Sequence, residues 1–405
     1  MERDTLPVIG VILRANSSIG TGHLMRIRSL LPKIKSKAYL RLYVYAFDKA
    51  LLPMCNDYDE VLEFKCKEDI FSYLAESYTG ASAATINPDY LIGKSDIGNL
   101  PKVVIIDDYA IDSSLESLLY EHCKIFVVDD LFDRPHQCHM LLDQTLITHE
   151  SEYQKLCNSD CELLLGSQYS LTQERFYPEF YDLNYQSPCT CGAHQLQLNY
   201  RALLGKDASS ISSLAKHCSC SDGQALPFER IFISFGGADP VSACLHLTDT
   251  IIKGKLYEQY CFTLLAGAAN KDYDTIVERV RVGIPKQYQQ HFILLHHCSD
   301  VADLLFKHDA AIGAYGGMFR ERIASAIPTA GVMIADNQKG ADVVVEQNDI
   351  GLTLSLDELN DIRAVSKALK ELSSRSQEFT NNCLKIYDGK GLKRIEEKVL
   401  SLLSA

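Results

Sequence analysis

Apolar residues fall along the chain in two alternating patterns. Unbroken runs such as Val8-Ile9-Gly10-Val11-Ile12-Leu13 read as short buried strands. Residues 24–35 carry Leu24, Ile27, Leu30, Leu31 and Ile34 at helical spacing, which predicts an amphipathic helix. The first half continues with strands predicted over 39–47, 103–106 and 124–128, and with helices over 71–77 and 115–122. From 181 to 227 the alternation lapses into a stretch rich in serine, cysteine and glutamine. It resumes with strands over 230–235, 261–265, 292–295, 310–313 and 329–334, and with helices over 273–282, 301–307 and 319–326. A last helix starts near Leu392 and carries Ile395, Val399, Leu402 and Leu403.

Short apolar strands alternating with amphipathic helices imply parallel sheets covered on both faces. The expectation is an α/β fold of two Rossmann-like domains facing across a cleft. Residues 1–180 form the first domain, 181–227 an enlarged connector, and 228–405 the second. The last helix is expected to pack back on the first domain.

Polar residues interrupt the pattern where such sheets bind ligands, at the ends of strands. The first strand is followed by Arg14-Ala15-Asn16-Ser17-Ser18-Ile19-Gly20-Thr21-Gly22-His23, a glycine-bearing loop that opens a helix. Gly20 and Gly22 let the backbone approach a ligand closely, and the new helix offers unpaired N–H groups to an anion. His23 is the side chain there best suited to move a proton near neutral pH. Gly-Thr-Gly lacks the third glycine of a dinucleotide fingerprint, so that reading is set aside. Two further glycine loops follow strands: Ser234-Phe235-Gly236-Gly237-Ala238-Asp239-Pro240 and Gly313-Ala314-Tyr315-Gly316-Gly317-Met318. Glu321, placed in the first turn of the helix after the third loop, can accept from two neighbouring ribose hydroxyls. Ala335-Asp336-Asn337-Gln338 follows the next strand.

The chain of 405 residues has 46% hydrophobic residues, enough for two cores. A net charge of −13 argues against nucleic acid or an anionic membrane as partner. No signal peptide or membrane span is read, and 14 scattered cysteines fit reduced thiols in a cytoplasmic protein. In the connector, Cys189, Cys191, His194, His217, Cys218 and Cys220 gather potential zinc ligands. Their Cys-x-Cys spacing departs from the usual zinc pattern, and no metal is expected.

The ordered series of motifs resembles the UDP-sugar hydrolases of pseudaminic acid biosynthesis. These cleave UDP-2,4-diacetamido-2,4,6-trideoxy-β-L-altropyranose on a MurG-like, glycosyltransferase-B architecture. The resemblance rests on the opening motif around His23 and on Ile106-Asp107-Asp108-Tyr109. It continues through Asp129-Asp130-Leu131-Phe132-Asp133-Arg134-Pro135-His136, Leu141-Leu142-Asp143-Gln144 and Leu165-Gly166-Ser167-Gln168-Tyr169. Ser234 to Pro240, Ala335 to Gln338, and Asp388-Gly389-Lys390-Gly391 complete it. It implies inverting hydrolysis without a cofactor, by a monomer, with His23 as base and Tyr109 and Asn337 holding the sugar or the water. Arg14, Gly20, Gly22, Asp108, Gly236, Gly237, Leu295, Gly316, Gly317, Glu321 and Gln338 would bind the UDP-sugar. Gly317 and Met318 stand where the family has small hydroxyl residues, and the family lacks the enlarged connector. Two other readings stay open: a UDP-sugar glycosyltransferase of the MurG type, and a non-catalytic nucleotide-sugar-binding protein.

Overall fold

The computed structural model describes residues 5–16, 22–80, 86, 88–93, 99–187, 198, 200–204, 230–267, 269–335 and 338–404. Gly20, Asn337 and the connector's clustered cysteines and histidines lie outside them. The chain divides into two compact units, Met1–Leu171 with Lys390–Ala405, and Thr172–Gly389.

The first unit is built on strands β1 (Val8–Leu13), β2 (Tyr39–Val44), β3 (Glu60–Glu63), β4 (Asp89–Ile92), β5 (Pro101–Asp107), β6 (Lys124–Val128), β7 (Met140–Asp143) and β8 (Glu162–Leu165). They form one sheet in the order β4-β3-β2-β1-β5-β6-β7-β8, parallel except for β3 with β4. Helices α1 (Gly22–Ile34), α2 (Lys67–Thr79), α3 (Ser113–Tyr120) and α4 (Glu150–Leu156) connect the strands. Alternate residues of β1 enter opposite cores. Ile9, Val11 and Leu13 join the α1 side, and Ile12 joins the side with Phe71 and Leu119 of α2 and α3. A strand covered on both faces has no polar face to show, which is why β1 reads as an unbroken apolar run.

The second unit carries β9 (Arg230–Ser234), β10 (Cys261–Leu265), β11 (Phe292–Leu295), β12 (Ala310–Ala314), β13 (Thr329–Val332) and β14 (Gly351–Leu354). These form a parallel sheet ordered β11-β10-β9-β12-β13-β14. Its helices are α5 (Ala243–Lys253), α6 (Tyr273–Gly283), α7 (Val301–Leu305), α8 (Gly317–Ala324), α9 (Ala341–Asn348), α10 (Ile362–Ser374) and α11 (Ser376–Ile386). In each sheet the order reverses beside the first strand, between β1 and β5 and between β9 and β12. Side chains after those strands therefore meet at one point on the sheet's carboxyl edge.

Strands β3 and β4 and helices α10 and α11 are elements that the apolar pattern did not single out. In β3 the reason is Glu60, a charged residue that is 1% exposed because Arg41 of the neighbouring β2 pairs with it. Residues 172–180 fall in the second unit rather than the first. Arg175 reaches Asp300 at 2.5 Å, and just beyond, Tyr181 packs on Phe306 and donates to Asp303 at 2.6 Å. Within the connector, Arg201 is fully buried and donates to the carbonyls of Ser325 and Leu305, each at 2.8 Å, and of His308. One guanidinium so satisfies carbonyls at the carboxyl ends of α7 and α8, which helices otherwise leave unpaired.

The chain then returns to the first unit as α12 (Gly391–Ser404), whose Leu392, Ile395 and Val399 join the α1 core. Gly391 is required there, since a Cβ would lie 2.4 Å from the Ser170 carbonyl oxygen. Ile395→Ala should cost about 2–5 kcal/mol, the range for truncating a fully buried aliphatic. Denaturant unfolding checks this, with the loss falling on the first unit's transition.

Candidate active site

His23 is the second residue of α1, directly after the loop that follows β1, and is 6% exposed. Asp107 ends β5, and the parallel register sets it opposite Leu13. The sheet thus delivers the carboxylate beside the helix start, with His23 Nδ1 2.6 Å from Asp107 Oδ1. Arg26 sits one turn further along α1. Its Nε donates to Asp107 Oδ2 at 2.6 Å and its Nη1 to Asp130 Oδ2 at 2.9 Å.

Burial alone would raise the Asp107 pKa, but Arg26 and His23 outweigh it and hold the carboxyl at about 2. An ionised carboxylate only accepts, so His23 Nδ1 must carry the hydrogen between them. Nε2 is then the basic nitrogen, and it has no hydrogen-bond partner among the described residues. An imidazole oriented by a buried carboxylate, with its second nitrogen unengaged, is equipped to take a proton from a ligand or water.

Tyr109 packs edge-on against the His23 ring, centroids 4.6 Å apart. Its phenol is pushed above the ordinary value, first by burial, and its hydroxyl donates to Asp130. The guanidinium groups of Arg26 and Arg134 each lie 5.7 Å from the ring centroid. Asp108 pairs with Arg14 at 2.9 Å and accepts from Tyr45 and from the Ala110 amide. Asp129, at the end of β6, takes Arg134 at 2.7 Å and the Tyr153 hydroxyl at 2.9 Å. Strand-end aspartates are thus answered by Arg14, Arg26 and Arg134, and Asp107, Arg26 and Tyr109 touch the histidine. The structure brings His23, Tyr109, Asp108 and Arg14 into this neighbourhood; Gly22 starts the same helix with open space at its Cβ position. Asp107, Arg26 and Asp130 are the residues that sequence reasoning passed over. Arg26 lies three residues after His23 and Asp107 lies inside the quoted Asp-Asp-Tyr motif, so the spacing held the signal once the strand order was known.

In the second unit the two glycine loops differ in what they leave free. Gly236 follows β9 with φ +88°, a conformation that favours glycine, and a Cβ on Gly236 or Gly237 would meet nothing within 4 Å. The amino end of α5 beyond them is occupied, however. Asp239 accepts from the amides of Ala243 at 2.9 Å and Cys244 at 2.8 Å. The amino end of α8 has no side-chain cap among the described residues, and its leading Gly316 and Gly317 are open. Gln338 Nε2 is 3.9 Å from where a Gly316 Cβ would be. The α8 terminus is therefore the better anion cradle of the two.

Glu321 is the fifth residue of α8 and not in its first turn, correcting the sequence expectation, because Gly316 rather than a later residue caps the helix. It stays next to that terminus. Burial pushes its carboxyl up to about 7, against Arg320 and Arg322. Leu295 ends the edge strand β11, and its carbonyl accepts from the Ala266 amide at 2.8 Å. It is not among the residues gathered at α8.

No family model matches the chain. A stretch of 80 residues is 36% identical to the UDP-2,4-diacetamido-2,4,6-trideoxy-β-L-altropyranose hydrolase of Campylobacter jejuni, covering 19% of this chain and 29% of that protein. Among solved structures, MurG of Acinetobacter baumannii aligns over 98% of this chain and 100% of its own, with TM-score 0.54 and 8% identity. TcCGT1 in complex with UDP aligns over 98% and 100%, with TM-score 0.56 and 10% identity. MnaA of S. aureus with UDP aligns over 99% and 98%, with TM-score 0.53 and 11% identity. These likenesses establish the two-unit α/β fold of glycosyltransferase-B type.

Two acid–base consequences follow from the fully buried Asp107 and the half-buried Glu321. Asp107→Asn should cost about 3–5 kcal/mol at pH 7 by removing the buried charge that Arg26 and His23 share. The folded pKa of Asp107 lies below the unfolded one. Its contribution is therefore full above about pH 4 and lost as pH falls through about 2, and the variant should show a flatter acid limb in denaturant titrations. Glu321 has the opposite sign. Its folded pKa of about 7 exceeds the unfolded value, so the parent loses stability as pH rises between them. Glu321→Gln should raise the melting temperature above pH 7 and leave it unchanged at pH 4, by calorimetry across that range.

Proposed function

We propose that the chain is a nucleotide-sugar hydrolase that splits a UDP-linked diacetamido-trideoxyhexose into UDP and free sugar, with inversion at the anomeric carbon. The observation that carries this reading is the His23–Asp107 contact, with Nε2 left basic. Water attacks the anomeric carbon as the bond to the UDP oxygen breaks, and the electron pair leaves with UDP. The water proton passes to His23 Nε2, and the Asp107 carboxylate stabilises the imidazolium that forms. UDP leaves readily, so little is asked of a general acid.

Tyr109, with its hydroxyl committed to Asp130, acts by holding the His23 ring and presenting its face to the sugar. Gly316, Gly317 and the α8 amides meet the diphosphate, and Glu321 accepts from the ribose hydroxyls. Gly236 and Gly237 line the ligand by leaving space rather than by offering a helix terminus. Asn337 keeps its role toward sugar or water by resemblance alone. The partial match to the Campylobacter hydrolase supports the substrate class. The second reading is a UDP-sugar glycosyltransferase, favoured by the likeness to MurG. In that case His23 would deprotonate an acceptor hydroxyl instead of water.

Incubation with the UDP-sugar donor alone separates the two. A hydrolase releases UDP to completion and gives the inverted anomer by NMR; a transferase releases only a trace. His23→Ala should lower turnover by about 10²–10⁴-fold and leave UDP affinity unchanged, since proton removal is needed only in the transition state. His23→Gln should do no better. Near-parental turnover in His23→Ala would assign the base elsewhere.

A further inference from the structure

Away from His23 and its partners, the first unit gathers three cysteines. Cys138 lies just before β7, Cys157 caps α4 at its carboxyl end, and Cys161 precedes β8. Their sulfurs all lie within 4.8 Å of one another, with Cys138 and Cys161 at 3.5 Å. We propose that Cys138, Cys157 and Cys161 form a three-thiolate site for a soft divalent cation of the zinc class, with the fourth position left to water.

Geometry favours a cation over a disulfide. In a tetrahedral zinc site with Zn–S of about 2.3 Å, sulfurs stand about 3.8 Å apart. A disulfide needs about 2.0 Å and would use two of the three thiols, leaving the convergence of the third without a purpose. Cys157 and Cys161 are separated by three residues, within the two-to-four spacing of chelating cysteine pairs. All-sulfur donors select zinc and its soft relatives and disfavour calcium or magnesium.

The backbone around the thiols is held in place without the ion. Asn158 Oδ1 accepts from the Cys138 amide at 2.9 Å, its carbonyl accepts from the Cys161 amide at 3.1 Å, and its Nδ2 donates to Tyr120 at 3.1 Å. The His136–Cys157 bridge adds a tie between the same segments. One asparagine so fixes two of the three ligands, and the remaining cysteine is the next residue back along the chain. Cys138 is buried and the other two are partly exposed, so an ion can enter from the solvent side. Bound there, it would brace α4, whose Tyr153 donates to Asp129 beside the histidine site.

The test uses the full chain purified with reductant. Elemental analysis after loading with zinc and dialysis should find about one tightly held zinc lost in Cys157→Ser and Cys161→Ser. It should be retained when Cys189 and Cys218 of the connector become serine. The unmutated protein gives a second measurement that does not depend on folding of variants. Zinc should protect Cys157 and Cys161 from iodoacetamide, by peptide mass spectrometry, and cobalt(II) should give a strong thiolate charge-transfer band. No retained metal, zinc retained in the Cys157 and Cys161 variants, absence of protection, or a Cys138–Cys161 disulfide in freshly isolated protein would each overturn the proposal.

Discussion

The candidate active site depends on one carboxylate. Asp107 is fully buried, which would ordinarily keep it neutral, yet Arg26 and His23 keep it ionised. Both partners come from a single helix, one turn apart, and the carboxylate comes from the strand next to the one that launches that helix. The parallel register of β1 and β5 is therefore as much a part of the site as the side chains are. A slip of one residue would turn Asp107 to the opposite face and take from Arg26 and His23 the carboxylate they share. The next ring of charges depends on the same arrangement: Arg26 spans Asp107 and Asp130, Asp130 holds Tyr109, and Tyr109 holds the histidine ring.

Much of this was legible in the pattern of the chain. Unbroken apolar runs located the central strands of both sheets because strands buried on both faces have no polar periodicity to confuse them. His23 stood out because it follows a glycine-bearing loop at the start of a helix and can move a proton near neutral pH. What the pattern could not supply was adjacency. The pairing of His23 with Asp107 needs β5 beside β1 although three strands intervene in sequence, and nothing local encodes that order. Strand β3 stayed hidden because its Glu60 is buried only by virtue of Arg41 on another strand. The position of Glu321 was displaced for a different reason: two glycines at the loop's end obscure where α8 starts, and the helix begins at Gly317.

Both units pair buried carboxylates with cations: in the second, Asp300 meets Arg175 and Asp303 meets Lys307. The first pairs nearly every carboxylate at the strand ends with a guanidinium. The second also leaves Glu321 and Arg322 as neighbours on α8 with their ionised forms penalised, Glu321 near 7 and Arg322 lowered to about 10. Unpaired buried groups cost stability and persist where a ligand can complete them. Glu321, half-buried beside a helix terminus with no side-chain cap among the described residues, is a group a ligand could complete, whereas the first unit's network serves to aim one nitrogen.

Arg201 carries a consequence for how the long connection between β8 and β9 behaves as a polymer. Tyr181 is tied to Asp303, and Arg201 to the carbonyls of Leu305, His308 and Ser325. The chain between Tyr181 and Arg230 is thus closed twice on the same unit rather than once. Each closure involves a shorter span, and the entropy of closing a span grows only with the logarithm of its length. Residues can accumulate on either side of Arg201 at small thermodynamic cost, whereas replacing the arginine itself would merge the two spans and strip the carbonyls of Leu305, His308 and Ser325 of that donor. Sequence drift in this region is therefore bounded by a single guanidinium.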